Sequence, residues 1–149
     1  YWNNEAATKA AFFDNGYFRS GDLGYVDEDG YLFIVDRKKD IIIRGGENIS
    51  CQEVEAAIYE HADVNECAVF GLPDERLGEV VGAVIWVKPD SSVDAEAMCS
   101  FLSQRLAPYK VPFKIWMSNE ALPKLGSEKI DKVSLRTQYR AQFAAEVAA

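Results

Sequence analysis

Two short apolar stretches, residues 66–72 and 80–87, constrain this chain more than any other feature. The second has four Val among its eight residues, and the first sets Val69 and Phe70 beside Cys67, Ala68 and Leu72. Both are too short for independent helices, so each reads as a β-strand. The segment between them, 73–79, is polar and holds Pro73 and Gly78, which interrupt regular structure. Strand and helix patterns alternate around this pair. Ile41-Ile42-Ile43 reads as a buried strand that Gly45-Gly46 ends. Ser50 and Glu53 form a capping box for a helix whose apolar face is Val54, Ala57 and Ile58. A helix over 94–106 carries Ala97, Met98, Phe101 and Leu102 at helical spacing, and Pro108 ends it. A strand over 113–117 and a loop over 119–129 follow. The last helix carries Leu135, Tyr139, Phe143 and Val147 every four residues. From residue 40 onward the order is β-α-β-β-α-β-α. That predicts a small α+β domain with helices packed on a mostly antiparallel sheet.

The first part reads differently. Asn4 caps a helix over 4–13, and Asp14-Asn15-Gly16 stops it. Strands over 23–26 and 31–35 are joined by the turn Asp27-Glu28-Asp29-Gly30. Residues 1–35 therefore read as the β-rich tail of a preceding domain, 36–40 as a linker and 41–149 as the small domain. The chain opens Tyr1-Trp2-Asn3-Asn4, without an initiator Met, and is expected to be the C-terminal piece of a larger protein.

Composition excludes several classes. With 48% hydrophobic and 12% aromatic residues the chain has enough apolar mass for a core, which argues against disorder. No apolar run approaches the roughly 20 residues of a membrane-spanning helix. A net charge of −8 argues against general nucleic-acid binding. Cys51, Cys67 and Cys99 form no CxxC pair and read as reduced thiols of a cytoplasmic protein. Cys51, near a helix start, reads as a buried structural thiol. His61 is the single histidine, so no His-pair metal site exists and no metal ligands are assigned. Walker A and Rossmann glycine patterns are absent from the sequence.

Three polar clusters have the residue types for chemistry. In Arg19-Ser20-Gly21-Asp22-Leu23-Gly24, Asp22 has the oxygens to accept two ribose hydroxyls; read alone, it is first of all an ordinary solvated turn aspartate. Asp36-Arg37-Lys38-Lys39-Asp40 holds three successive cations, suited to phosphate or simply to a solvated hinge. Leu122-Pro123-Lys124-Leu125-Gly126-Ser127-Glu128-Lys129-Ile130 puts lysines in a loop. A mobile ammonium there would reach a negative transition state; the plain alternative is a surface loop.

The order and spacing of these clusters resemble the C-terminal part of the adenylate-forming superfamily: acyl-CoA synthetases, aryl-CoA ligases, luciferases and peptide-synthetase adenylation domains. Tyr1-Trp2-Asn3-Asn4 with Gly16 to Gly24, then Asp36 to Ile49, then Gly71-Leu72-Pro73-Asp74 with Gly78-Glu79, then Leu122 to Ile130 are similar to its ordered motifs. The Gly45-Gly46-Glu47-Asn48-Ile49 form is most similar to fatty-acyl and aryl-CoA synthetases.

The resemblance implies an AMP-forming acyl-CoA synthetase that joins a carboxylic acid to CoA using ATP. A large N-terminal domain would supply the phosphate loop and acyl pocket, so this piece alone is expected to be inactive. Asp22 would bind the ATP ribose, Arg37 ribose or phosphate, and Asn48 would lie near the adenylate. Lys39 would be the hinge, and Gly45 and Gly46 would line the CoA pantetheine tunnel. Lys129 would stabilise the adenylation transition state, and Mg²⁺ would accompany ATP. Two alternatives within this resemblance are an adenylation domain that loads a carrier protein and a non-catalytic module derived from the fold. One departure stands out: Glu128 occupies a position where the family usually has Gly before the lysine. Glu128 gives up glycine's backbone freedom, and its carboxylate is expected to compete with ATP for Lys129.

Overall fold

The structure, a computed structural model, describes residues 1–147. It divides into two compact units, Tyr1–Lys39 and Asp40–Ala149.

In the first unit, helix α1 (Glu5–Ala10) starts where expected, with the Asn4 side chain accepting the Ala7 N–H at 2.9 Å. Strands β1 (Asp22–Val26) and β2 (Leu32–Arg37) pair antiparallel. Asp27 Oδ1 closes their turn by accepting the N–H groups of Asp29 and Tyr31. The charged segment is not a simple break in the pattern. Asp36 and Arg37 extend β2, and Lys38–Asp40 form one 3₁₀ turn. Asp36 is the one buried side chain among the described residues of this unit. Trp2, Tyr17, Phe18, Tyr25, Leu32 and Ile34 are all exposed.

The second unit is built on β6 (Gly78–Val87). This strand pairs antiparallel with β5 (Val64–Asp74) and parallel with β7 (Lys114–Ser118). It also meets β3 (Ile41–Arg44) at the pair Arg44 and Gly78, and β4 (Glu47–Ser50) lies outside β3. Alternate residues of β5 point to opposite faces, and both faces are covered. Cys67 and Val69 join Ile58, Met98 and Leu102 from helices α2 (Cys51–Tyr59) and α3 (Ala95–Ser103). Ala68, Phe70 and Leu72 join Leu135 and Phe143 from α4 (Lys132–Val147). Burial on both faces is why these strands read as unbroken apolar runs.

Several details differ from the sequence reading. The order from residue 40 is β-β-α-β-β-α-β-α, because the pattern missed β4, whose Glu47 and Asn48 are poor strand formers. Ile43 is 57% exposed rather than buried, since the hairpin it lies in is covered on one face only. The loop 73–79 is mostly strand: β5 continues through Pro73 to Asp74, and β6 starts at Gly78. β5 is an edge strand, where a missing N–H costs no ladder bond. Helix α3 ends at Ser103, and Val147 is exposed. In the capping box, Ser50 Oγ accepts the Glu53 N–H at 3.2 Å, while the Glu53 carboxylate binds Lys110 at 2.6 Å.

Candidate functional site

Asp22 and Arg37 face each other across the β1–β2 register, with Arg37 Nε 3.2 Å from Asp22 Oδ1. The arginine is exposed and the aspartate half-buried. A carboxylate has about four acceptor positions, so this contact leaves Asp22 able to take hydroxyl donors. The structure thus brings together two residues that are 15 positions apart in the sequence. Lys39 is exposed in the 3₁₀ turn, and the boundary between the two units falls directly after it.

Gly45 and Gly46 form the two-residue turn between β3 and β4, with φ of +59° and +93°. Two consecutive left-handed residues are the type I′ arrangement, which suits the twist of a hairpin and strongly favours glycine. The Gly45 N–H donates to the Leu77 carbonyl at 2.8 Å, tying the turn to the β5–β6 connection. Asn48 is exposed on β4.

Lys129 lies on a small hairpin inside the predicted loop. Lys124 and Ile130 form a β-bridge, the Leu125 N–H donates to the Lys129 carbonyl at 2.8 Å, and the Glu128 N–H donates to the Leu125 carbonyl at 2.9 Å. Three residues close this loop, and the third, Glu128, has φ of +62°. That is the position where a three-residue hairpin takes its left-handed residue, normally glycine. The backbone geometry before Lys129 is therefore kept, and Glu128 bears its steric cost. Replacing Glu128 with Gly is expected to stabilise the chain by about 1 kcal/mol, the left-handed penalty less glycine's larger unfolded entropy. Urea unfolding checks this, and an unchanged midpoint would count against strain at Glu128.

The expected competition of Glu128 for Lys129 does not match the charge pattern. Glu128 instead helps raise the pKa of Lys124, whose main partner is Glu66 at 2.8 Å. Lys129 is exposed and makes no ion pair among the described residues. Glu66 also accepts the Leu122 N–H at 2.9 Å. Burial pushes the Glu66 carboxyl up, but Lys124 and the Leu122 amide outweigh it and hold the group below the usual carboxylate value. This anchor was not evident in the sequence, because Glu66 belongs to a strand far from the loop.

A second anchor was missed. Arg140 on α4 binds Glu79 through Nη2 at 2.6 Å and the Gly71 carbonyl through Nε at 2.6 Å. Both partners fall in the Gly71 to Glu79 motif, the one signal that would have pointed to them.

The candidate residues do not converge on one point of the second unit. The glycine turn is fastened at the Gly78 end of β6, and the lysine hairpin is fastened to Glu66, which pairs with Trp86 near the other end. Those anchors are separated by about 27 Å of strand.

Residues 53–129 match the family profile described as AMP-binding enzyme C-terminal domain. The chain is 46% identical over 141 residues to the long-chain-fatty-acid–CoA ligase FadD13 of Mycobacterium tuberculosis, covering 95% of this chain and 27% of the relative. It is 47% identical over 130 residues to a long-chain-fatty-acid–CoA ligase of Bacillus subtilis, covering 87% and 23%. The crystal structure of ATP-bound MatB from Rhodopseudomonas palustris superposes with a TM-score of 0.83 at 36% identity, covering 94% of this chain and 28% of that one. The chain thus spans about a quarter of the length of these relatives.

Proposed function

The chain belongs to the family of AMP-binding enzyme C-terminal domains, and from that premise we propose that it is the C-terminal segment of an AMP-forming acyl-CoA synthetase. The full-length protein would convert a carboxylic acid, ATP and CoA to acyl-CoA, AMP and pyrophosphate. The observation that carries this reading is the placement of Lys129, an exposed ammonium on a hairpin that keeps the left-handed residue before it.

Adenylation builds negative charge on the α-phosphate, and a delivered ammonium lowers that barrier. Asp22 would hold the ribose hydroxyls, Arg37 the ribose or a phosphate, and Asn48 the neighbourhood of the adenylate. Thioester formation then needs the lysine withdrawn and a thiol admitted past Gly45 and Gly46. The distance between the two anchors on β6 supports a unit that presents each end in turn, and the unit boundary after Lys39 supports a hinge there. Residues 1–35 would belong to the large N-terminal domain, 36–40 would be the hinge linker and 41–149 the mobile domain. The exposed aromatic and aliphatic surface of the first unit supports its burial against that larger domain.

Mg²⁺ would arrive with ATP. Among the described residues no group of three or more His, Cys, Asp or Glu side chains is placed to hold a metal ion. No described helix is long and apolar enough to cross a membrane, and we place the enzyme in the cytoplasm on its free thiols. This segment alone would be inactive.

The test uses the full-length protein with ATP, Mg²⁺, CoA and a panel of fatty and aromatic acids, followed by mass spectrometry. AMP and an acyl-CoA formed together are the expected result. Silence across the panel would overturn the reading in favour of carrier-protein loading or a non-catalytic module.

A further inference from the structure

The β-ladder joins the β3–β4 hairpin to β6 at one point, the register pair Arg44 with Gly78, so the ladder alone does little to fix the turn beyond it. Ile42 and Ile49 anchor the body of the hairpin in the core, and two polar contacts tie down the end that carries the turn. One is the Gly45 N–H on the Leu77 carbonyl. The other is the Ile43 N–H, which donates to Glu79 Oε2 at 3.2 Å.

Glu79 is itself fixed from the far side. Its Oε1 takes Arg140 Nη2 at 2.6 Å, and Arg140 Nε donates to the Gly71 carbonyl at 2.6 Å. Gly71 lies beneath the carboxylate, where a Cβ would come within 2.7 Å of it. An ordinary surface ion pair needs neither a bare backbone beneath it nor a strand amide as a third partner. This one joins α4, β5 and β3 through a single carboxylate.

We propose that Glu79, held by Arg140 over Gly71, is a positioning residue for the Gly45-Gly46 turn and thereby for the thioester-forming half-reaction. The role in thioester formation rests on the function proposed above. Glu79 touches no reacting atom. It sets the height and tilt of β3, and the glycine turn follows two residues later. Loss of the carboxylate lets the hairpin swing, which misplaces the turn for CoA and leaves the lysine hairpin, fastened at the other end of β6, as it was.

The experiment compares the full-length protein with its Glu79→Ala and Glu79→Gln variants in two assays. Pyrophosphate exchange reads adenylation, and CoA consumption with supplied acyl-adenylate reads thioester formation. In Glu79→Ala, kcat/KM for CoA is expected to fall at least tenfold, with pyrophosphate exchange within twofold of the parent. In Glu79→Gln the amide oxygen still accepts the Ile43 N–H but the amide nitrogen faces the Arg140 donor, so only part of that loss is recovered. Equal losses in both assays, or none, would overturn the proposal. Hydrogen exchange is measured on the same proteins and needs no turnover. Amides 43–46 are expected to exchange at least tenfold faster in Glu79→Ala, with amides 114–118 unchanged. Uniform exchange would overturn the positioning role. Absence of adenylation in the parent would overturn the proposed function, and hydrogen exchange would still decide whether Glu79 holds the turn.

Discussion

Replacing Lys129 with Ala in the full-length enzyme is expected to slow acyl-adenylate formation by about 10²–10³-fold, the usual loss when one preorganised donor to a developing charge is removed. Thioester formation from supplied acyl-adenylate is expected to stay within about threefold of the parent. The reason is spatial: Lys129 and the glycine turn are fastened near opposite ends of β6. Lys129→Arg keeps the charge but spreads it over a wider, planar group, so it should recover only part of the rate. Single-turnover measurement of AMP and pyrophosphate release checks both variants. Parallel loss in the two half-reactions would mean that Lys129 supports the fold rather than the adenylation step.

Gly24→Ala is expected to raise the KM for ATP at least about tenfold, equal to roughly 1.4 kcal/mol of lost binding. A Cβ on Gly24 would be driven into the backbone carbonyl oxygen of Phe33 on the facing strand. A backbone obstacle cannot rotate aside, so the β1–β2 ladder must open next to its existing irregularity at Leu23 and Gly24. Asp22 and Arg37 sit at that end of the pair and would separate. The KM for CoA should stay within twofold. A thermal scan of the variant separates local opening from general unfolding, and unchanged ATP saturation would show that the hairpin absorbs the methyl group.

Local signals carried most of the fold. Asn4 and Ser50 read as helix caps in the sequence, and each side chain accepts an N–H three residues on. Asp94, read there as the first helical residue, turns out to cap in the same way. The core strands were legible because burial on both faces leaves no polar alternation to misread. β4 was not, because Glu47 and Asn48 are strand residues by virtue of the turn before them and the partner beside them. The Gly45-Gly46 pair was the available clue, and it reads as a hairpin once both φ values are known to be positive. The site divides in the same way. Asp22, Arg37 and Lys129 were singled out by the family resemblance of their ordered motifs, since each taken alone reads as an ordinary polar residue. The ties that hold the lysine hairpin and the glycine turn, Glu66 to Lys124 and Glu79 to Arg140, connect residues more than 50 positions apart. Glu128 was suspect only by comparison with a family pattern, since nothing about glutamate announces a left-handed backbone.

The cysteines of the second unit bear on what an enzyme of this family must survive. An acyl-adenylate acylates any thiolate it meets, and an enzyme that makes one is its own nearest target. Cys67 is buried and pushed up to about 12, mainly by desolvation with help from Glu55. Cys67 is therefore held as the neutral thiol near pH 7. Burial also raises the pKa of Cys99, whose Sγ lies 3.7 Å from the Pro112 carbonyl, and Cys51 is shut inside the core. If the full-length protein forms an acyl-adenylate as proposed, the packing that stabilises the sheet would also shield Cys51 and Cys67 from self-acylation.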